Sequence, residues 1–77
     1  MEEITALINT EYITLGQLLK LADLISSGGM AKWYLNEHQV LVNQVEENRR
    51  GRKLYSNDQV EIPEEGILIT VVYSDED

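Results

Sequence analysis

Seven consecutive residues, Ile67-Leu68-Ile69-Thr70-Val71-Val72-Tyr73, are almost wholly apolar or β-branched. Such side chains suit a pleated strand, and a run with so little polar alternation is either buried on both faces or paired with another apolar strand. The chain supplies one evident neighbour, Ile4-Thr5-Ala6-Leu7-Ile8, which reads as a short strand before the polar Asn9-Thr10-Glu11. A sheet built around residues 67–73 needs an apolar cover. With 77 residues and no cysteine, that cover must come from packing alone within one domain. A domain of this size has little room for a deep catalytic pocket, so function belongs on its surface or in a shallow groove.

The cover is readable between Thr14 and Glu37. Thr14 and Gln17 have the spacing of a capping box, which predicts a helix starting there. Leu15, Leu18, Leu19, Ala22 and Ile25 follow the helical period on one face, widened by Leu21 and Leu24, with Gly16, Gln17 and Lys20 turned away. Ser26-Ser27-Gly28-Gly29 ends this helix, and a second runs from about Met30 to Glu37. There Ala31, Tyr34, Leu35 and His38 share one face and Lys32 and Asn36 the other, with Trp33 on the flank.

After His38, Val40 and Val42 alternate with Leu41 and Asn43 as a strand, and Asn43-Gln44 begins a turn. Leu54 and Tyr55 resume pairing, Ser56-Asn57-Asp58 turns the chain into the strand Val60-Glu61-Ile62, and Pro63 with Gly66 marks a break. Residues 74–77 read as a solvated acidic tail.

The formal net charge is −8, which ordinarily argues against a polyanionic partner. Its distribution reverses that argument. Residues 14–62 hold all six Lys and Arg residues and six acids (Asp23, Glu37, Glu46, Glu47, Asp58, Glu61), a net of zero, so the excess acid lies in the flanks. Four of the six cations, Arg49, Arg50, Arg52 and Lys53, crowd into Asn48-Arg49-Arg50-Gly51-Arg52-Lys53, an arm between two strands. Arg offers a planar fork of donors to phosphate oxygens, and Gly lets the backbone approach closely. The competing reading is a solvated hairpin neutralised by Glu46 and Glu47. Lys20 and Lys32 are the cations outside the arm, each by itself an ordinary surface lysine.

Catalysis finds little support in one His, no Cys and no nucleotide-hydrolase glycine loop, and Gly28-Gly29 is explained by a tight interhelical turn. His38 reads as a packed residue, Tyr34 as core, and Trp33 as an edge of the core more than a base-stacking platform. Asn43 can bond the turn backbone or meet a partner. No cofactor, metal or small-molecule substrate is expected. Nor is a membrane partner, since no apolar run approaches the roughly 20 residues of a membrane span. Met1-Glu2-Glu3 is acidic where a signal peptide is basic, so a cytoplasmic, unprocessed protein is expected.

Ser27, Ala31, Lys32, Leu35, Val40-x-Val42-Asn43 and Asp58-x-Val60-x-Ile62, taken with the helix pair and the basic arm, resemble the S4 RNA-binding domain family over residues 14–62. Longer strings, including ITLGQLLKLADLISSGGMAKWYL and ENRRGRKL, resemble small stand-alone bacterial S4 modules over nearly the whole chain. The sequence departs from the family's pattern at Thr14, Gly28 and Trp33, where cations are usual, at His38, and at Gln44, where Gly usually follows Val-x-Val-Asn. The resemblance implies an α+β, S4-like fold of two antiparallel helices on a small, mainly antiparallel sheet. Strands 4–8 and 67–73 are then additions to the core within a single domain 1–77. It further implies noncatalytic binding of structured RNA, such as ribosomal RNA or a ribosomal particle with its proteins. The expected RNA-binding residues are Lys20, Lys32, Asn43, Arg49, Arg50, Arg52 and Lys53. The rival class is a protein-interaction module that uses the basic arm or the exposed edge of the C-terminal strand.

Overall fold

Residues 67–73 lie inside the main sheet in the computed structural model, which describes residues 1–74. The elements in chain order are β1 (Glu2–Ile8), β2 (Ile13–Thr14), α1 (Leu15–Leu21), α2 (Ala31–Glu37), β3 (Leu41–Val42), β4 (Val45–Glu46), β5 (Lys53–Leu54), β6 (Gln59–Ile62) and β7 (Ile67–Tyr73). Five strands form one sheet in the order β1-β7-β6-β3-β4, while β2 and β5 pair as a separate ribbon. β1 runs parallel to β7, from Glu2 opposite Ile67 to Ile8 opposite Tyr73. The other pairings in the main sheet are antiparallel. The fold is thus the expected α+β, S4-like arrangement. Of the tail expected over residues 74–77, all but Ser74 lies outside the described residues.

β7 settles the choice its sequence left open. Ile67, Ile69 and Val71 are buried, whereas Leu68, Thr70 and Val72 on the other face are half-buried. The buried residues of α1 and α2 join Ile67, Ile69, Val71, Val60 and Ile62 in a single cluster. The helices therefore cover one face, and β7 is apolar for its pairing with β1 rather than for burial on both sides. Because β7 lies between β1 and β6, the expectation of an exposed C-terminal edge is overturned. The edge strands of this sheet are β1 and β4.

Thr14 caps α1 as expected, its hydroxyl accepting from the Gln17 amide at 3.2 Å while the Gln17 side chain accepts from the Thr14 amide at 3.0 Å. The helix is shorter than its pattern suggests. It ends at Leu21, after which Ala22 caps it and Asp23 adopts φ 62°. Leu24 and Ile25 reach the core from the following loop, and Leu21 is 55 % exposed instead of widening the apolar stripe. Met30 belongs to a 3-10 turn, Gly28–Met30, ahead of α2. Gly16, expected to face outward, is buried. A Cβ there would stand 3.3 Å from the Ala31 Cβ and 3.4 Å from the Arg50 carbonyl oxygen, so two helices and the arm converge on that position.

Asn43 and Gln44 both take left-handed conformations, with φ 51° and 72°, in the two-residue turn joining β3 to β4. Such turns match the twist of an antiparallel pair and usually carry Gly. The segment that resumes pairing beyond the arm is Lys53–Leu54, and it pairs with β2 instead of the main sheet. Among the described residues, no helix is long and apolar enough to cross a membrane.

Candidate nucleic-acid interface

The arm leaves β4 at the sheet margin and crosses to the start of α1. Its anchor is Glu47, only 8 % exposed, whose amide donates to the Val40 carbonyl at 2.9 Å. The Glu47 carboxylate accepts from Arg49 Nε at 2.9 Å, Arg49 Nη2 at 3.1 Å and Arg52 Nη1 at 2.9 Å, and from the Arg49 amide at 3.1 Å. These bonds, led by that of the Arg49 guanidinium, hold the Glu47 carboxyl at a pKa of about 2 against the opposing effect of burial. The same pair raises the pKa of Arg49. The expectation that neighbouring acids neutralise the arm is met at one residue: Glu47 engages Arg49 and Arg52, leaving Glu46 exposed on β4.

Between these two arginines the chain turns, the Arg52 amide donating to the Arg49 carbonyl at 3.1 Å. The turn places two carbonyls against α1. Arg50 accepts from the Gly16 amide at 2.9 Å, and Arg52 accepts from the Leu15 amide at 2.8 Å. The first amides of a helix have no intrahelical partner, so the arm supplies what α1 lacks and is held by it. Arg50 and Gly51 then border a shallow cleft of about 330 Å³ with Thr14, Gly16, Gln17, Gly28 and Ala31. Among the described residues, Arg50 makes no ion pair, and its side chain is exposed at the mouth of this cleft.

Lys53 continues the positive surface along β5, its Nζ 4.9 Å from the centre of the Tyr12 ring. Tyr12 also meets Tyr55 at a centroid distance of 5.9 Å, and both tyrosines are exposed. This cluster was not anticipated. Nothing local marks Tyr12 or Tyr55, which meet because β2 and β5 pair around Ile13 and Leu54.

Lys32 is exposed on α2, whose buried side carries Ala31, Tyr34 and Leu35. Lys20, in the last turn of α1, borders a different groove with Leu7, Ile8, Tyr12 and Leu21. Asn43, in the β3–β4 turn, ties two turns together. Its side-chain amide donates to Asp58 Oδ1 at 3.1 Å, and its oxygen accepts from the Gln59 amide at 2.9 Å. The arrangement thus gathers the four arm cations at the start of α1, while Lys20 borders a groove that includes Tyr12 and Asn43 sits in the β3–β4 turn.

Trp33 is 55 % exposed rather than an edge of the core, and it meets the His38 ring edge-on at 6.4 Å. His38 packs on the buried Tyr34 ring at 4.3 Å, and its Nδ1 lies 3.0 Å from Glu64 Oε1. Burial is the main cause of the raised Tyr34 pKa, with Glu65 and Glu64 adding to it.

Known proteins resemble this chain in sequence. The family model described as the S4 domain matches residues 6–70. A relative named as the probable ribosome maturation protein RlbA, from Bacillus subtilis (strain 168), is 73 % identical over 55 residues, covering 71 % of this chain and 78 % of the relative. The match takes in both helices, the arm and most of β7, so the elements that build the cleft are those of the family. The chain belongs to the S4 domain family.

Proposed function

We propose that this protein is a noncatalytic RNA-binding module of the cytoplasm that docks on folded ribosomal RNA or a ribosomal particle. The observation that carries the proposal is the seating of Arg50 and Gly51 on the first turn of α1, which presents an unpaired guanidinium and a close-approach backbone at one cleft. Arg50 and Lys53 contact phosphates directly. Arg49 and Arg52 keep charge and outward-facing donors while Glu47 fixes their positions, since a guanidinium has five N–H groups and the carboxylate occupies one side. Lys32 extends this surface from α2, and Lys20 adds a peripheral charge. Asn43 supports it by holding the β3–β4 and Asp58 turns. Membership of the S4 family and the name of the Bacillus subtilis relative support an RNA partner and a role in ribosome maturation.

The test is a titration of a structured ribosomal RNA fragment at two salt concentrations, set against duplex DNA of equal length. Each phosphate neutralised contributes about 0.7 to 0.9 to the logarithmic salt slope. With six Lys and Arg in the chain, the slope should not exceed about five in magnitude. Saturable, RNA-preferring binding within that bound is expected. Absence of binding at low salt would overturn the proposal.

A further inference from the structure

Among the described residues, β1 has a partner on one side only. The Glu2 amide donates to the Gly66 carbonyl at 2.8 Å and the Ile8 carbonyl accepts from the Ser74 amide at 2.8 Å, so the even-numbered residues direct their backbone groups toward β7. In a strand the alternate residues direct theirs the other way. Glu3, Thr5 and Leu7 therefore present free N–H and C=O groups along the open edge. Native edge strands are commonly blunted by proline, lysine, a bulge or a covering segment. β1 contains no Pro or Lys, and it pairs with β7 in unbroken register.

The surroundings of that edge are apolar. A groove of about 270 Å³ runs beside it, lined by Ile4, Thr5, Ala6, Leu7, Leu21 and Ala22 among others. It adjoins a hollow of about 580 Å³ at the Ile8 end, where Lys20 stands. Leu7 is 64 % exposed and Leu21 is 55 % exposed, an unusual expense of large apolar side chains on a small domain.

We infer that a second copy of this chain adds its β1 antiparallel to this edge, forming a two-fold dimer with one continuous sheet. Backbone parity and full overlap of the strand together fix the register. Outward-facing residues must pair with outward-facing residues, and overlap of all of Glu2–Ile8 then sets Thr5 opposite Thr5 on the dyad and Glu3 opposite Leu7 of the second copy. On the helix side, Ile4 then opposes Ala6 and Glu2 opposes Ile8.

Charge selects the same arrangement. A parallel pairing of two such edges would have to slip by one residue, which breaks two-fold symmetry and sets Glu2 of one copy against Glu3 of the other, and like charges directly opposite destabilise a sheet. The antiparallel register removes that clash and brings Glu2 of the second copy to the level of Ile8. Lys20 borders that end of the groove, on the side of the sheet that carries α1. The Leu21 side chains, each lining the groove beside Ile4 to Leu7 of its own copy, are then covered by the second copy. This interface does not depend on the RNA reading, because its pairings leave the arm free; Lys20 is the one residue that the two readings share.

Sedimentation velocity on the full chain over a concentration series tests the inference. The wild-type chain should pass from monomer to dimer. Thr5→Pro removes an outward amide without touching the β7 pairing and should leave a monomer, with unchanged circular dichroism as the control for folding. Leu21→Lys, at an exposed position, reads the same interface if the proline variant fails to fold, and it too should weaken dimerisation. Glu2→Lys should weaken dimerisation by about tenfold, equivalent to about 1.4 kcal/mol, and adding Lys20→Glu should restore it. A wild-type chain that remains monomeric throughout the series would overturn the inference. So would a dimer indifferent to these changes, or a double charge reversal that restores nothing.

Discussion

The Arg50 carbonyl accepts a hydrogen bond from the Gly16 amide at 2.9 Å, joining the basic arm to the first turn of α1. A side chain at Gly16 would crowd both Arg50 and Ala31. Gly16→Val is therefore expected to push the arm off the helix, with an overpacking cost of about 1 to 3 kcal/mol. Denaturant unfolding measures the cost. Faster hydrogen exchange at the Leu15 amide, whose acceptor is the Arg52 carbonyl, reports the detachment.

Glu47 makes the arm sensitive to acid. Its folded carboxyl has a pKa of about 2 against an ordinary 4.5, so the folded state binds its proton less readily than the unfolded state. The stabilisation is fully present above 4.5 and is lost as the pH falls toward 2. After allowance for screening at the exposed Arg49, it amounts to about 1 to 2 kcal/mol. Glu47→Gln should be less stable than wild type at neutral pH by that amount, and the difference should shrink below pH 4.5. Parallel melts of the two proteins across this range provide the check.

Arg50 and Lys53 lie outside the Glu47 clamp, so their removal should subtract phosphate contacts while leaving the fold intact. The double variant Arg50→Ala/Lys53→Ala is expected to lower the magnitude of the salt slope for RNA by about 1.4 to 1.8, from two lost contacts. Its melting temperature should stay close to wild type. An unchanged slope with weakened binding would assign these residues a role other than phosphate contact.

Thr14 stands at the junction of β2 and α1, where both halves of its capping box are formed. Thr14→Ala should cost about 1 kcal/mol, the usual loss for removing an N-cap side chain. Thr14→Ser keeps the hydroxyl and should recover most of it. Chemical denaturation of the three proteins distinguishes a cap from a simple packing contact.

The sequence by itself determined the features whose physics is local. The Thr14–Gln17 box starts a helix because its bonds span three residues, and Ile67–Tyr73 is a strand because successive side chains crowd their own backbone into extended form. The reversals at Asn43-Gln44 and Asn57 were legible from residues that tolerate positive φ, and the arm was legible from the bunching of its charges. The tertiary structure decided whatever depends on residues distant in sequence. Helical period assigned Leu21 to the core and Gly16 to solvent, but the arm and α2 converge on Gly16 while Leu21 stays 55 % exposed beside the open edge of β1. Charge count treated four arm cations alike, but Glu47 holds two of them because the Val40 carbonyl fixes its backbone at the base of the arm. Apolar character marked β7 as a strand of uncertain neighbours, and its parallel partner β1 took it from the edge of the sheet to the interior. Periodicity specifies the face a residue presents; which surface meets that face is set by long-range packing.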